Sequence, residues 1–440
     1  MPPHGSGALA PHKFLFPGLK ARLLSLAVFL LWTNLTLAQT EESIVINDDL
    51  DIPITRYQAF ADEAPILLWL PSSRGTSNKQ AITASALGDL DIETWVIDLH
   101  TAYFIDAGRR SVQHFKAQDI ADLIQVATTQ TNKKVFVMAT DMVAKPALEG
   151  IALFQQQAAQ SGGKADIGGV ILFHPNLSYP AIEPGKPVEY VPISHNSTIP
   201  IYFIQPSIST RQWRSLELQE TLQAGGSPVF MHTMPGVHAG FHLRQDEDLN
   251  DADFEQRERL PENLKTAIRL LSLQATAPTP DTFTDEQVSA RNKREYGLNK
   301  LQNDTALPLS LQNLDAQLIN IDYAENKLTL VSFWASWCEP CIKELPSLKR
   351  LHDDYAAKGL HIVTVNIGET RQEVSEAIDT FKMDAYTNLR DPDGVAMNAW
   401  HVYGFPSNFL ITANGTMHYG SIGGVEWDEP EVREVIDGLL

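Results

Sequence analysis

The fold of the C-terminal part of this 440-residue chain is decided by the stretch Trp-Ala-Ser-Trp-Cys-Glu-Pro-Cys, residues 334–341. The stretch holds the only two cysteines of the chain, so we expect them to react with each other. A strand-like apolar run, Leu328–Trp334, precedes them, and Ile342–His352 follows with apolar residues at helical spacing. The pair is therefore predicted to lie at a helix N-terminus, where free backbone N–H groups and the helix dipole stabilise a thiolate.

This position predicts different roles for the two sulfurs. Cys338 is expected to be the nucleophile, and Cys341, one turn into the helix, is expected to be the resolving thiol. Pro340 is compatible with the first turn of the helix, because backbone N–H groups there have no hydrogen-bond partner within the helix and the N–H that proline lacks is not needed. A structural zinc site would need two more ligands at a fitting spacing, which the chain does not offer, and a bridge over one turn would constrain little of the unfolded chain. A redox motif is the favoured interpretation, a chance pair remains an alternative, and we expect no metal and no cofactor.

Residues 305–440 resemble the thioredoxin-like disulfide reductases of the TlpA and ResA type. The resemblance is carried by the motif at 334–341 and by the later Gly404–Ile411. It implies that Pro406 is cis and lies against the dithiol, where the backbone just before it can pair with an incoming peptide. Trp337, Phe405 and Pro406 are then the predicted substrate-binding residues. The ring of Phe405 departs from the smaller residue usual in the family and is expected to alter which substrates fit.

The same resemblance implies a role for Glu344, three residues after the second cysteine. A carboxyl near two sulfurs could take or give a proton as a mixed disulfide forms and breaks. The alternative is that Glu344 is simply a solvated helix residue.

The remainder of this segment fits a thioredoxin fold. His361–Ile367 is predicted to be a buried strand, and Arg371–Lys382 is predicted to be a helix by its apolar spacing. Residues 409–419 predict a hairpin with its turn at Ala413-Asn414-Gly415. Glu429–Leu440 closes the chain as a predicted helix.

Residues 1–38 have the layout of a signal peptide. Three basic residues precede an apolar run, Leu23–Trp32, and small residues follow at Thr36 and Ala38. We therefore expect a periplasmic or otherwise exported protein, with an uncleaved membrane anchor as the alternative. The formal net charge of −20 makes nucleic acid an unexpected partner.

The length predicts more than one domain, and the expected fold class is α/β with two domains. Small residues and prolines over 274–282 predict a linker. A polar connector, predicted to be a helix, follows it and ends at residue 304. Residues 40–273 alternate apolar strand-like runs with helical stretches, which predicts a parallel sheet with helices on both faces. The five strongest predicted strands are 65–70, 94–99, 134–138, 169–173 and 199–204. This order resembles the α/β-hydrolase fold, followed in the chain by the thioredoxin fold.

The catalytic residues of such a hydrolase are only partly present. Asp141 occupies the serine position of the Gly-x-Ser-x-Gly elbow, and Ala139 and Val143 replace both glycines, which disfavours a sharp turn. His238 falls where the general base of the fold lies, whereas the segment after Ile204 offers no acid. Asp141 could attack as a carboxylate or could be a turn residue, and a structural role for His238 is the favoured interpretation.

Two functions follow. In the first, an exported thiol–disulfide oxidoreductase reduces protein disulfides, is re-reduced by a membrane electron donor, and uses its N-terminal domain to bind or position a partner. Some members of the family serve cytochrome c maturation. In the second, the N-terminal domain hydrolyses a small ester or peptide under control of the redox domain. Negative charge at Glu339 between the cysteines favours a reductant over an oxidant.

Overall fold

Alternating strands and helices build two sheets in the computed structural model, which describes residues 39–46, 50–163, 165–179, 184–275, 278–280 and 297–440. The predicted signal peptide lies outside these residues. Within the described part of the chain, no helix is both long and apolar enough to cross a bilayer.

The first sheet has eight strands in the order β1-β2-β4-β3-β5-β6-β7-β8. Its strands are β1 (Gln39–Ile46), β2 (Leu50–Tyr57), β3 (Ile66–Trp69), β4 (Glu93–Ile97), β5 (Val135–Thr140), β6 (Ile167–Phe173), β7 (Ile201–Ile208) and β8 (Val229–His238). The five predicted strands correspond to β3–β7 and are confirmed. The predicted parallel pairing holds from β4 to β8 across the sheet. It is wrong at one edge, because β2 pairs antiparallel with both β1 and β4.

Seven α-helices accompany the described part of this sheet. They are α1 (Asn78–Asp89), α2 (Leu99–Ala102), α3 (Ala117–Thr131), α4 (Ala144–Gln160), α5 (Ser215–Ala224), α6 (Asp251–Glu258) and α7 (Leu260–Ser272). Apolar residues of α3 and α4 are buried against one face of the sheet. Apolar residues of α1 and α7 are buried against the other face, so helices cover both faces as predicted.

The second sheet has the strand order β11-β10-β14-β13-β12-β15-β16-β9. Its elements are β9 (Asn299–Thr305), β10 (Ser310–Asn313), β11 (Leu318–Asn320), β12 (Leu328–Trp334), β13 (Leu360–Ile367), β14 (Thr387–Asp391), β15 (Ser407–Thr412), β16 (Thr416–Ile422), α8 (Glu339–Tyr355), α9 (Arg371–Phe381), α10 (Val395–Ala399) and α11 (Pro430–Leu439). Strand β12 is central, parallel to β13 and antiparallel to β15. The predicted strand, helix, hairpin and terminal helix are all present.

The predicted connector helix is wrong at its C-terminal end. Strand β9 occupies residues 299–305 and pairs antiparallel with β16. Local polarity suggested a solvated helix, but the open edge of β16 offers backbone partners that a sequence pattern does not show. Residues 281–296 of the predicted connector lie outside the described residues.

The described residues of both sheets belong to one compact unit. Within it, we call the first sheet with α1–α7 the first domain and the second sheet with α8–α11 the second domain. Trp213, in the turn after β7, lies against the backbone of the second domain: a Cβ atom added at Gly394 would be 2.6 Å from its ring, and one at Gly368 would be 2.8 Å away. Lys186 Nζ lies 2.6 Å from Asp304 Oδ2 in an ion pair that also joins the domains. The carboxyl end of β7 in the first sheet therefore meets the second domain.

Candidate redox site

The two cysteines stand where β12 ends and α8 begins. Cys338 is the N-cap of α8, and the backbone N–H of Cys341 donates to its Sγ over 3.2 Å. The two Cα atoms are 5.2 Å apart, and the sulfurs form a disulfide. Cys338 is 6% exposed and Cys341 is 1% exposed, so the first cysteine is the more exposed of the two residues.

A buried carboxylate, Glu369, fixes the loop before the cysteines. The backbone N–H of Ser336 donates to Glu369 Oε2 over 2.7 Å, and the hydroxyl of Ser336 donates to Oε1. Asn366 Nδ2 donates to the same Oε2 over 2.5 Å. Sequence reasoning missed Glu369. The available signal was its position two residues after the end of the buried strand β13, because carboxyl ends of adjacent parallel strands meet at one edge of a sheet.

Glu344 is buried, with 3% of its surface exposed. The solvated-residue alternative is therefore wrong. The backbone N–H of Val425 donates to Glu344 Oε2 over 3.0 Å, and Asn408 Nδ2 lies 3.5 Å from the same oxygen. Burial raises the pKa of this carboxyl to about 8, against the opposing effect of those hydrogen bonds. Glu344 can therefore exchange a proton near neutral pH.

The predicted substrate-binding residues lie in two adjacent loops. The Phe405–Pro406 peptide bond is cis, as the family resemblance implied. The rings of Trp337 and Phe405 are 5.8 Å apart between centroids, which places the loop before β15 beside the cysteine motif. Phe405 is buried, so its side chain shapes this surface from within.

The charge between the cysteines is compensated. Glu339 is exposed and pairs with Lys343, whose Nζ is 2.5 Å from Oε1. The hydrogen bond from Lys343 is the largest cause that lowers the pKa of Glu339. Because a cation stands beside Glu339, its negative charge is a weaker argument for a reductant than the sequence suggested.

In the first domain, Asp141 does form a sharp turn. Its φ of +54° follows β5 directly, so the expectation that the absence of glycines disfavours such a turn is wrong. The backbone N–H of Asn176 donates to Asp141 O over 3.0 Å and helps to hold that conformation. The carboxylate pairs with Arg211, with Nη2 2.9 Å from Oδ1.

His238 has an acidic partner that the sequence reasoning missed. Asp253 is fully buried, and its Oδ2 is 2.7 Å from His238 Nδ1. The backbone N–H of His238 donates to Asp253 Oδ1 over 2.7 Å. The expected absence of an acid was based on the segment after β7, whereas Asp253 comes from α6, which follows β8. The Asn250 cap at the start of α6 was the available signal.

Two further histidines lie at the carboxyl ends of strands in the first sheet. His174 follows β6 and is buried, and neither ring nitrogen has a hydrogen-bond partner among the described residues. Burial lowers its pKa to about 4, against an opposing effect of Asp141 and with smaller lowering effects of Arg211 and Arg244. His242 Nε2 lies 3.4 Å from Thr140 Oγ1. Burial also lowers the pKa of His242, so both imidazoles are neutral at pH 7. In the described ranges, no group of three His, Cys, Asp or Glu residues could hold a metal ion.

Comparison with known proteins shows which family the second domain resembles. The profile of the AhpC/TSA family matches residues 303–419. ResA, a thiol-disulfide oxidoreductase of Geobacillus kaustophilus, is 29% identical over 179 residues, covering 40% of this chain and 87% of that protein. ResA of Geobacillus thermodenitrificans is 30% identical over 118 residues, covering 25% and 67%. The thiol:disulfide interchange protein DsbE of Allochromatium vinosum is 31% identical over 124 residues, covering 27% and 66%.

Among solved structures, a thiol-disulfide oxidoreductase from Bacteroides fragilis is 22% identical, with a TM-score of 0.28, and is matched over 31% of this chain and all of that one. The fold and the cysteine site define a thioredoxin-like redox domain. Through this C-terminal domain the chain belongs to the AhpC/TSA family, with relatives that are thiol-disulfide oxidoreductases of the ResA and DsbE type.

Proposed function

We propose that this chain is an exported thiol–disulfide oxidoreductase that reduces protein disulfides through Cys338 and Cys341. The observation that carries the proposal is the cysteine pair at the N-terminus of α8, with the buried carboxyl of Glu344 on the same helix. The helix N-terminus favours a thiolate at Cys338, the more exposed of the two cysteines. A glutamate three residues after Cys341 lies on the same side of the helix as that cysteine.

The reaction is a pair of thiol–disulfide exchanges. The thiolate of the reduced Cys338 attacks one sulfur of the client disulfide, forms a mixed disulfide, and releases the other client sulfur as a thiolate. Cys341 then loses its proton and attacks the sulfur of Cys338, which releases the second client thiolate. Two electrons pass to the client, and Cys338 and Cys341 end as a disulfide. A membrane dithiol donor would reduce that disulfide again.

Glu344 supplies a proton acceptor for the second step. With a pKa of about 8, roughly a tenth of this carboxyl is ionised at pH 7, and that ionised form can take the proton of Cys341. A carboxylate of ordinary pKa would be too weak a base to take a thiol proton. Burial is thus what makes Glu344 suitable for the task.

Trapping of mixed disulfides tests the roles of the two cysteines. Cys341→Ser should accumulate mixed disulfides with client proteins, because the resolving thiol is absent, whereas Cys338→Ser should trap none. Non-reducing gels of the full-length variants measure this directly. Equal trapping by both variants would remove the assignment of nucleophile and resolving thiol.

For the first domain, we propose an α/β-hydrolase-like fold that positions a partner and does not hydrolyse a substrate. The mostly parallel sheet with helices on both faces supports the fold. The pairing of Asp141 with Arg211 argues against a free nucleophile, because the cation stabilises the carboxylate that would attack. We therefore expect no labelling by a fluorophosphonate probe and unchanged disulfide reduction in Asp141→Ala and His238→Ala.

A hydrolase remains the second candidate because of one observation, the His238–Asp253 pair. It orients an imidazole with its Nδ1 toward a buried carboxylate, as a general base requires. Nitrophenyl-ester turnover by the full chain tests this candidate. Turnover that disappears in both His238→Ala and Asp253→Asn would establish the hydrolase and refute the non-catalytic role.

A further inference from the structure

The turn after β7 packs on the part of the second domain where two loops meet. The indole of Trp213 lies against Gly368, which follows β13, and against Gly394, which follows β14. A Cβ atom added at these glycines would be 2.8 Å and 2.6 Å from the ring, respectively. Their φ angles are +74° and +66°, in the region that favours glycine. The loop conformations themselves therefore provide the bare backbone on which the indole packs.

Hydrogen bonds tie these two loops to each other. The backbone N–H groups of Gly368 and Gly394 both donate to Asp391 O, over 3.2 Å and 3.3 Å. Arg390 Nη2 donates to Glu369 O over 3.1 Å. The segment after β13 is therefore bound to the end of β14, and the indole covers the place where the two are joined.

The segment after β13 also holds the loop before the cysteines. Glu369 accepts hydrogen bonds from the backbone N–H and the hydroxyl of Ser336, two residues before Cys338. The backbone N–H of Cys341 donates to Cys338 Sγ over 3.2 Å. A continuous series of contacts therefore leads from Trp213 in the first domain to the N-terminus of α8.

We propose that Trp213 is a positioning residue of the redox site: by packing against Gly368, it keeps the N-terminus of α8 aligned on the sulfur of Cys338. The proposal rests on the proposed function and gives the first domain a part in it. Backbone N–H groups and the helix dipole stabilise a thiolate at a helix N-terminus, and the effect falls off within the first turn. A displaced loop before α8 therefore weakens it, so Cys338 ionises at lower pH when Trp213 is in place.

The competing role of Trp213 is to hold the two domains together without any effect on the sulfur. The ion pair of Lys186 with Asp304 also joins the domains, with Nζ 2.6 Å from Oδ2. It lies on the edge strand β9, which β15 and β16 separate from β12. Loss of this ion pair would loosen the contact between the domains and leave the loop before Cys338 in place. The two roles therefore predict different results for variants of Trp213 and Lys186.

The experiment measures alkylation by iodoacetamide in the full-length Cys341→Ser protein, in which Cys338 is the one remaining cysteine of the chain. With Trp213→Ala added, we expect the midpoint of the alkylation pH profile to move to higher pH. The rate at about pH 6 should fall about threefold, because less of the sulfur is ionised. Trp213→Phe keeps a flat ring against both glycines and should restore most of the rate. Lys186→Gln is the matched control and should follow the parent protein.

Equal profiles in Trp213→Ala and the parent protein would overturn the proposal, and so would equal shifts in Trp213→Ala and Lys186→Gln. A shift to lower pH would overturn it as well, because the charge of Glu369 and not the alignment of α8 would then govern the sulfur. If Trp213→Ala did not fold, Trp213→Leu, which keeps apolar bulk without the flat ring, would give the same comparison.

A second substitution tests the route through Glu369. In a Glu369→Gln background, Trp213→Ala should shift the profile less than it does alone, since both residues act through the same loop. A shift of the same size would overturn this route. Alkylation needs no client protein, so failure to reduce client disulfides would refute the proposed function and leave this proposal standing. Client reduction combined with an unchanged alkylation profile in Trp213→Ala would refute this proposal alone.

Discussion

At the scale of single residues, burial decides the chemistry of Glu344. A glutamate in the second turn of an amphipathic helix is ordinarily solvated, but this one lies beneath the segment around Val425. Removal from water disfavours the charged carboxylate, and two or three hydrogen bonds offset only part of that cost. The same group thereby becomes a proton donor and acceptor near neutral pH and a source of pH-dependent stability.

Glu344→Gln should remove that pH dependence. Because the pKa of Glu344 in the folded protein is raised, the folded state keeps a proton that the unfolded state releases, so stability falls as pH rises from 4.5 to about 8. The fall in the free energy of unfolding across this window should be smaller in the variant by roughly 3 to 5 kcal/mol. Urea denaturation of the oxidised protein at several pH values measures it.

The exposed Glu434→Gln serves as the control and should follow the wild type. In the reduced protein, Glu344→Gln should also shift the pH profile of thiol alkylation while the fold remains intact. An unchanged alkylation profile would mean that the carboxyl takes no part in proton transfer.

At the scale of elements, the loop between β12 and α8 depends on a contact from another strand. Glu369 accepts hydrogen bonds from the backbone and hydroxyl of Ser336 and from Asn366, so the end of β13 holds the approach to Cys338. A buried carboxylate with three donors is a rigid anchor, because each lost bond leaves a polar group unsatisfied. The position of Cys338 is therefore fixed by two adjacent parallel strands, β12 and β13.

Glu369→Gln should weaken this anchor. An amide keeps the shape of the carboxylate but directs an NH₂ group toward donors, so we expect a loss of about 1 to 3 kcal/mol in the free energy of unfolding. Hydrogen exchange at Ser336 and Trp337 should accelerate at the same time. The control is Glu376→Gln, at an exposed position of α9, which should change stability by less than about 0.5 kcal/mol. Unchanged exchange at Ser336 would contradict the anchoring role.

At the scale of the whole molecule, the turn after β7 joins the domains. Trp213 occupies the space above two glycines of the second domain, and at Gly394 a side chain would collide with its ring. A flat aromatic group against bare backbone gives close packing and buries apolar surface on both sides. This contact joins the turn after β7 to the segments that follow β13 and β14.

Trp213→Ala should loosen the contact between the domains. Because the indole is half-buried, we expect a loss of roughly 1 to 3 kcal/mol in stability and faster hydrogen exchange at Gly368 and Glu369. Leu216→Ala, at an exposed position of α5, is the control. Exchange that stays at the wild-type rate around Gly368 would show that Trp213 does not hold the domains together.

Much of this protein follows from local patterns in its sequence. The apolar runs at β12 and β13, the helical spacing after Cys341 and the turn residues before β16 each depend on neighbours within a few positions, so they predicted the C-terminal elements. The same holds for strands β3–β7 and for the cysteine pair at a helix N-terminus. Residues 334–341 and the elements around them therefore predicted the thioredoxin-like family of the second domain.

The tertiary structure alone decided the features that join distant positions. These features are the burial of Glu344, the hydrogen bonds from Ser336 to Glu369, the pairing of His238 with Asp253, the pairing of β9 with β16, and the packing of Trp213 against the second domain. Except for His238 and Asp253, these contacts span 30 residues or more, and no local periodicity encodes them. Where a side chain ends in the packed core determines its solvation, and solvation determines its pKa and its partners.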